Sequence, residues 1–138
     1  MSRRVSWRRK LGSLVTLGLL TAACGSNPSS PSTPTVTDTL TGTLSPSNLN
    51  AHPFNVSAAG NVTITLTTLT PPVTAVGIGL GSVSNNQCQN VQSYPNGPFT
   101  QGLAWTLAVS SSGTYCVAIY DIGYLIQNEN YTITVVHP

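Results

Sequence analysis

The sequence has very few charged side chains, and after residue 10 it has no lysine or arginine. Its only acidic residues are Asp38, Asp121 and Glu129, so the chain from residue 24 onward has a formal charge of −3 with histidine neutral. Proteins bind nucleic acids and anionic lipid head groups largely through cationic side chains. Because this part of the chain lacks cations, we do not expect it to bind DNA, RNA, nucleotides or anionic lipids directly.

Groups for acid–base catalysis are also scarce. The only imidazoles are His52, which precedes a proline, and His137, which is second from the end of the sequence. The chain has no Gly-x-Ser-x-Gly sequence of the kind that presents a catalytic serine. We therefore predict that the protein is not an enzyme. A small secreted hydrolase is the weaker alternative, and its activity would depend on His52 or Glu129.

All five basic residues precede residue 11, and an apolar run from Leu11 to Ala23 follows them. This run is too short to span a bilayer as a helix, which takes about twenty residues. A positive segment, a short apolar segment and small residues in that order are typical of a secretory signal peptide. Residues 1–23 are therefore predicted to be a signal peptide.

The end of this leader, Leu-Leu-Thr-Ala-Ala-Cys-Gly at 19–25, resembles the lipobox of bacterial lipoproteins. The resemblance implies cleavage before Cys24, attachment of a diacylglycerol to its sulfur, and anchoring in a membrane. Gly25, rather than an aspartate, follows the cysteine and favours the outer membrane, on its periplasmic face or at the cell surface. Residues 24–37, which begin with this cysteine and are rich in Pro, Ser and Thr, are predicted to be an extended linker.

If Cys24 carries lipid, Cys88 and Cys116 remain as a pair. Exported proteins fold in an oxidising compartment, so we expect these two cysteines to form a disulfide. Such a bridge would add about 3–4 kcal/mol of stability through the loop that it closes. A thiolate metal site is the alternative, although no other cysteine or histidine lies within ten residues of either thiol.

Residues 38–138 show apolar residues alternating with threonine and other small residues. This period-two pattern is typical of strands with one buried face. Glycine-containing turns, such as Gly60-Asn61, separate the runs. The pattern predicts an all-β domain at 38–138, an antiparallel β-sandwich of seven to eight strands. The runs lie at 62–67, 103–110, 114–119 and 131–136, with weaker ones near 38–44 and 52–58.

Alternating glycines at 77, 79 and 81 give one strand a face without side chains. Glycine weakens a strand unless something approaches it closely. Two interpretations follow, a strand packed tightly under a loop or neighbouring backbone, or a shallow floor for a flat ligand.

Several strand-like segments share a further sequence style. They lie at 38–44, 53–56, 60–66, 112–120 and 130–135. Together they resemble the bacterial pre-peptidase C-terminal domain. The resemblance implies a secreted, jelly-roll-like β-sandwich that is non-catalytic and is associated with binding, secretion or solubility.

Aromatic side chains supply the candidate binding residues. Tyr94 and Phe99 flank a Pro-Asn-Gly-Pro segment, and Tyr120 and Tyr124 lie near a second predicted turn. Such rings suit stacking on a sugar or peptide, although a packed turn with partly buried rings would have the same sequence.

Asp121 and Glu129 bracket residues 122–128, which we predict to form a hairpin. They are either two solvated side chains at its mouth or, more weakly, ligands of a Ca²⁺ site or an acid–base pair. No other metal and no cofactor is expected.

Together these features predict a cell-envelope lipoprotein with a non-enzymatic binding or accessory module. Its expected partners are the membrane, through the lipid anchor, and an envelope protein or a polysaccharide; a carbohydrate-binding module is the alternative.

Overall fold

The computed structural model describes residues 34–71 and 75–138 of the chain. The predicted signal peptide, Cys24 and residues 25–33 of the predicted linker lie outside the described residues. The described part contains eight strands. They are β1 (Val36–Leu44), β2 (Leu49–Val56), β3 (Gly60–Thr70), β4 (Gly77–Ser84), β5 (Gln87–Ser93), β6 (Ala104–Val109), β7 (Gly113–Tyr120) and β8 (Glu129–His137).

The strands form two four-stranded antiparallel sheets. One sheet has the order β1-β8-β3-β6, and the other has the order β2-β7-β4-β5. This order is that of a jelly roll, in which the chain passes repeatedly from one sheet to the other. The predicted jelly-roll-like β-sandwich is confirmed. In residues 34–71 and 75–138 no helix is long and apolar enough to cross a membrane.

The core lies between the two sheets and is built by the period-two pattern. In β3, Val62, Ile64 and Leu66 are fully buried, while the threonines between them are half-buried on the opposite face. In β8, Ile133 and Val135 are likewise fully buried and alternate with residues on the opposite face. Burying each such side chain contributes about 1.5–3 kcal/mol, so these alternating residues supply much of the stabilisation of the fold.

β5 was not predicted, because its sequence Gln-Cys-Gln-Asn-Val-Gln-Ser is polar and does not alternate. It pairs with β4 through a shift of register between Leu80 and Ser82, and its side chains are exposed or half-buried. At the other boundary, β1 begins at Val36, two residues before the predicted start of the domain.

The glycines of β4 make room for neighbouring groups. A Cβ on Gly77 would overlap the ring of Tyr120, and one on Gly81 would lie 2.6 Å from the carbonyl oxygen of Gln89 in β5. On Gly79 it would overlap Val91. The face without side chains is therefore covered by β5 and by an aromatic ring. The close-packing interpretation is correct, and the floor for a flat ligand is wrong.

A disulfide joins Cys88 in β5 to Cys116 in β7, with Cα atoms 5.8 Å apart. These strands flank β4, and a Cβ on Gly81 would lie 3.2 Å from the Cys116 sulfur. The bridge therefore crosses over β4 at Gly81 and ties down the polar edge strand.

Candidate functional site

Two of the aromatic candidates belong to the core. Phe99 is fully buried and forms backbone hydrogen bonds of 2.9 and 3.0 Å with Val76. Tyr94 is half-buried and packs edge-on against Phe99 and Trp105, at ring-centre distances of 4.9 and 5.7 Å. A fully buried ring cannot stack on a ligand, so the prediction was wrong for Phe99.

The other two aromatic candidates have different surroundings. Tyr120 is half-buried over Gly77, and its hydroxyl donates a hydrogen bond to Ser93 Oγ at 2.9 Å. Only Tyr124 is exposed, with 51% of its surface accessible. The four rings therefore do not form the shared stacking platform that a sugar-binding surface would use.

His52 joins the two sheets through Tyr131. Its Nε2 lies 2.6 Å from the Tyr131 hydroxyl, which also accepts a hydrogen bond of 3.0 Å from Asn50 Nδ2. Burial lowers the pKa of His52 and raises the pKa of Tyr131, because each ionised form would lose solvation. This arrangement favours neutral groups and a structural link between β2 and β8.

His137 lies at the opposite end of β8 from Glu129 and is almost completely buried. Its Nε2 is 3.1 Å from Asp38 Oδ2, and its ring packs against Phe54 at a centre-to-centre distance of 5.1 Å. Among the described residues, no serine or threonine hydroxyl hydrogen-bonds to either imidazole. Neither histidine is thus placed to activate such a nucleophile.

Asp121 fixes the conformation of the loop that follows β7. Its Oδ1 accepts backbone N–H groups from Gly123, Tyr124 and Leu125 at 2.8–3.2 Å, and its Oδ2 accepts the Ser47 N–H at 2.8 Å. The hydrogen bond from Ser47 and the three from the loop lower the pKa of Asp121, because they favour the ionised carboxylate.

Glu129 lies at the other end of the same loop and is fully buried, facing the core opposite Leu44. Neither of its carboxylate oxygens has a hydrogen-bond partner among residues 34–71 and 75–138. The interpretation as a solvated residue at a hairpin mouth was wrong for Glu129. Residues 122–128 also do not form a hairpin, because they connect β7 in one sheet to β8 in the other.

The weak Ca²⁺ candidate finds little support in this arrangement. The oxygens of Asp121 already accept backbone N–H groups, and those of Glu129 lie inside the core. Within the part of the chain that the structure describes, no group of three or more His, Cys, Asp or Glu side chains could hold a metal ion.

An exposed apolar surface, which sequence reasoning missed, lies at this end of the sandwich. We call it the tip and define it as residues 45–49 and 121–128, which are joined by the Asp121 hydrogen bonds and by Asp121 N–H to Asn48 O at 3.0 Å. Of the seven large hydrophobic residues that are exposed in the described residues, four are in the tip. They are Leu49, Ile122, Tyr124 and Ile126.

The signal for this surface was present in the sequence. Residues 122–126 read Ile-Gly-Tyr-Leu-Ile, which is unusually apolar for a connection that also contains a turn glycine. Tyr124 is the one predicted binding residue in this segment, because an aromatic ring indicates stacking, whereas the aliphatic residues beside it suggested no ligand.

No protein family and no curated protein matches this chain in sequence. Among solved structures, it is similar to the crystal structure of Aeromonas hydrophila PliG, a periplasmic lysozyme inhibitor of g-type lysozyme. The TM-score is 0.50 at 12% sequence identity, over 73% of this chain and 84% of PliG. At this identity the similarity shows a related fold and no more.

Proposed function

We propose that this protein is an exported cell-envelope lipoprotein whose β-sandwich is a non-enzymatic module that binds another protein. The observation that carries the proposal is the tip. Soluble domains seldom expose several large apolar side chains together, and such patches commonly mark interaction sites. Ile126 has 92% of its surface accessible and Tyr124 has 51%, so both are available to a partner.

The tip is also held in one conformation. Four backbone N–H groups bind Asp121, and Leu125 is buried with 6% of its surface accessible. Binding through a rigid loop loses less conformational entropy than binding through a flexible one. A preorganised apolar loop is therefore suited to recognition of a protein surface.

Export and anchoring are supported by independent features. The disulfide Cys88–Cys116 is of a kind that persists in oxidising compartments. The predicted signal peptide accounts for export. The lipobox resemblance at Cys24 accounts for a lipid anchor and points to the outer membrane. The resemblance to the pre-peptidase C-terminal domain stays a prediction and agrees with a non-catalytic role.

The proposal of a non-enzymatic role rests on how the possible catalytic groups are used. His52 is bonded to Tyr131, and His137 is bonded to Asp38. Asp121 holds backbone N–H groups. A carbohydrate-binding module is less well supported, since the four aromatic candidates are dispersed and one of them is buried.

The anchor is tested by intact mass spectrometry of the protein extracted from membranes under non-reducing conditions. The expected mass lacks residues 1–23, includes acyl groups on Cys24 and is two protons lighter because of the disulfide. Recovery of the full chain from the soluble fraction, starting at Met1, would contradict the anchor.

Protein binding is tested by photo-crosslinking in the cells that make the protein, with a photoreactive residue placed at several exposed positions. Amine-reactive reagents are unsuitable because the domain has no lysine. We expect an adduct with one exported protein, identified by mass spectrometry. A g-type lysozyme is a reasonable purified partner to test in parallel, in view of the fold similarity to its inhibitor. Retardation in polysaccharide gels without any protein adduct would instead support the carbohydrate-binding alternative.

A further inference from the structure

We propose that the tip docks onto a cationic protein, with Ile126 and Tyr124 making the central apolar contacts. This inference rests on the proposed function and adds the surface and the charge of the partner.

The central contacts follow from exposure and rigidity. Ile126 is the most exposed of the large hydrophobic residues in the described part of the chain, and Leu49 and Ile122 also expose apolar surface within the tip. Gly123 has a φ of +94°, in the left-handed region, and nothing lies within 4 Å of a Cβ built there. This backbone conformation favours glycine, and the residues on either side, Ile122 and Tyr124, are exposed.

The register of β1 and β8 locates the tip within the domain. Val36 pairs with His137 at one end of the ladder, and Leu44 pairs with Glu129 at the other. The tip immediately precedes Glu129, so it lies at the opposite end of the ladder from Val36. Nine residues of extended strand separate the two ends by roughly 25–30 Å.

The charge of the partner follows from the charge of the domain. Residues 34–138 contain no lysine or arginine and have three carboxylates. One of them, Asp121, lies at the base of the tip and stays ionised because its hydrogen bonds lower its pKa. A domain with only negative formal charges attracts a cationic surface over distances near the Debye length and repels an anionic one.

The test uses the full-length protein in the cells that make it, with a photoreactive residue at position 126. The exposed apolar positions 91 and 136 are matched controls. We expect an adduct only from position 126, with an exported protein that has a net positive charge. With this partner purified, Ile126→Ser and Tyr124→Ser should each weaken binding about tenfold or more, as expected of central contacts. Val136→Ser should leave binding unchanged, and raising the salt concentration from about 50 to about 300 mM should weaken it.

The other outcomes overturn the inference in distinguishable ways. A protein adduct from position 91 or 136 but not from 126 would reject the tip and leave protein binding intact. An adduct at 126 with lipid, with a second copy of this chain or with an acidic protein would reject the proposed partner. Absence of a protein adduct at all three positions would reject the proposed function as well.

Discussion

The connection between β7 and β8 begins and ends at a carboxylate, and its two ends are built in opposite ways. Asp121 is partly exposed and accepts four backbone N–H groups. Glu129 is fully buried and accepts no hydrogen bond from the described residues. A partly exposed carboxylate can organise a loop at little desolvation cost, whereas a buried one without partners opposes folding. Two acidic residues only eight positions apart thus have opposite effects on the same connection.

The largest change in stability is expected at Leu125, and the adjacent residue Ile126 is its control. Leu125→Ala should lower the free energy of unfolding by about 2–5 kcal/mol, because it leaves a cavity where the loop enters the core. Ile126→Ala should change it by less than about 0.5 kcal/mol, because Ile126 is exposed. Denaturant unfolding measures both. Equal losses for the two variants would show that the loop is not anchored as described.

The next largest change in stability is expected at Glu129, the buried end of the connection. Glu129→Met, which keeps the length of the side chain but removes its unpaired oxygens, should raise the free energy of unfolding by about 1–3 kcal/mol. Glu129→Gln is the matched control and should gain less, because it still buries unpaired polar atoms. A loss of stability in Glu129→Met would mean that the carboxyl group has a partner or a required role.

At the exposed end, Asp121→Ala should act locally. The amides of Gly123, Tyr124 and Leu125 lose their acceptor, so their hydrogen exchange should accelerate more than about tenfold, while the amides of β3 stay protected. Asp121→Asn retains one acceptor oxygen and should show a smaller acceleration. Unchanged exchange in Asp121→Ala would show that other contacts hold the tip.

Lowering the pH should reproduce part of this acceleration of hydrogen exchange. Because the pKa of Asp121 is lower in the folded than in the unfolded protein, its stabilisation is complete above about pH 4. It is lost as the pH falls through the lowered value, where the carboxylate becomes protonated. Exchange of the Tyr124 amide, corrected for intrinsic rates, should therefore rise below about pH 4 in the wild type and be insensitive to pH in Asp121→Ala.

The smallest effect is expected from His52, which lies away from the connection and serves as a reference. Burial lowers its pKa, so the unfolded chain takes up the proton first as the pH falls below about 6.5. Stability is therefore lost between about pH 6.5 and the lowered pKa. His52→Gln should flatten this slope in denaturant unfolding. An unchanged slope would assign the dependence to other groups.

The sandwich was predictable because several of its strands carry a period-two pattern. β3, β6 and β8 place apolar residues on alternate positions, which is typical of a strand with one buried face. β7 also has large apolar residues on alternate positions, although Cys116 and Ala118 between them are buried as well. β5 lacks such a pattern and is held by Val91 over the β4 glycines and by the disulfide, which are contacts between distant parts of the chain. Its existence could not be deduced from its own residues.

The candidate site was less predictable, since it depends on whether side chains at the ends of strands point into the core or into solvent. Glu129 continues the inward-facing alternation of Tyr131 and Ile133, but charged residues are so rarely buried unpaired that exposure was the better expectation. Phe99 was chosen for its proline-rich surroundings, although its backbone pairs with Val76 inside the fold. Long-range contacts decided both outcomes.

The position of β1 has a mechanical consequence. It pairs only with β8, and a tether at Val36 and a partner at the tip would pull on opposite ends of this ladder. Such a load runs along the strands, across hydrogen bonds that lie perpendicular to them. The bonds then bear the force together in shear, instead of opening one after another, so the domain resists unfolding under such a load.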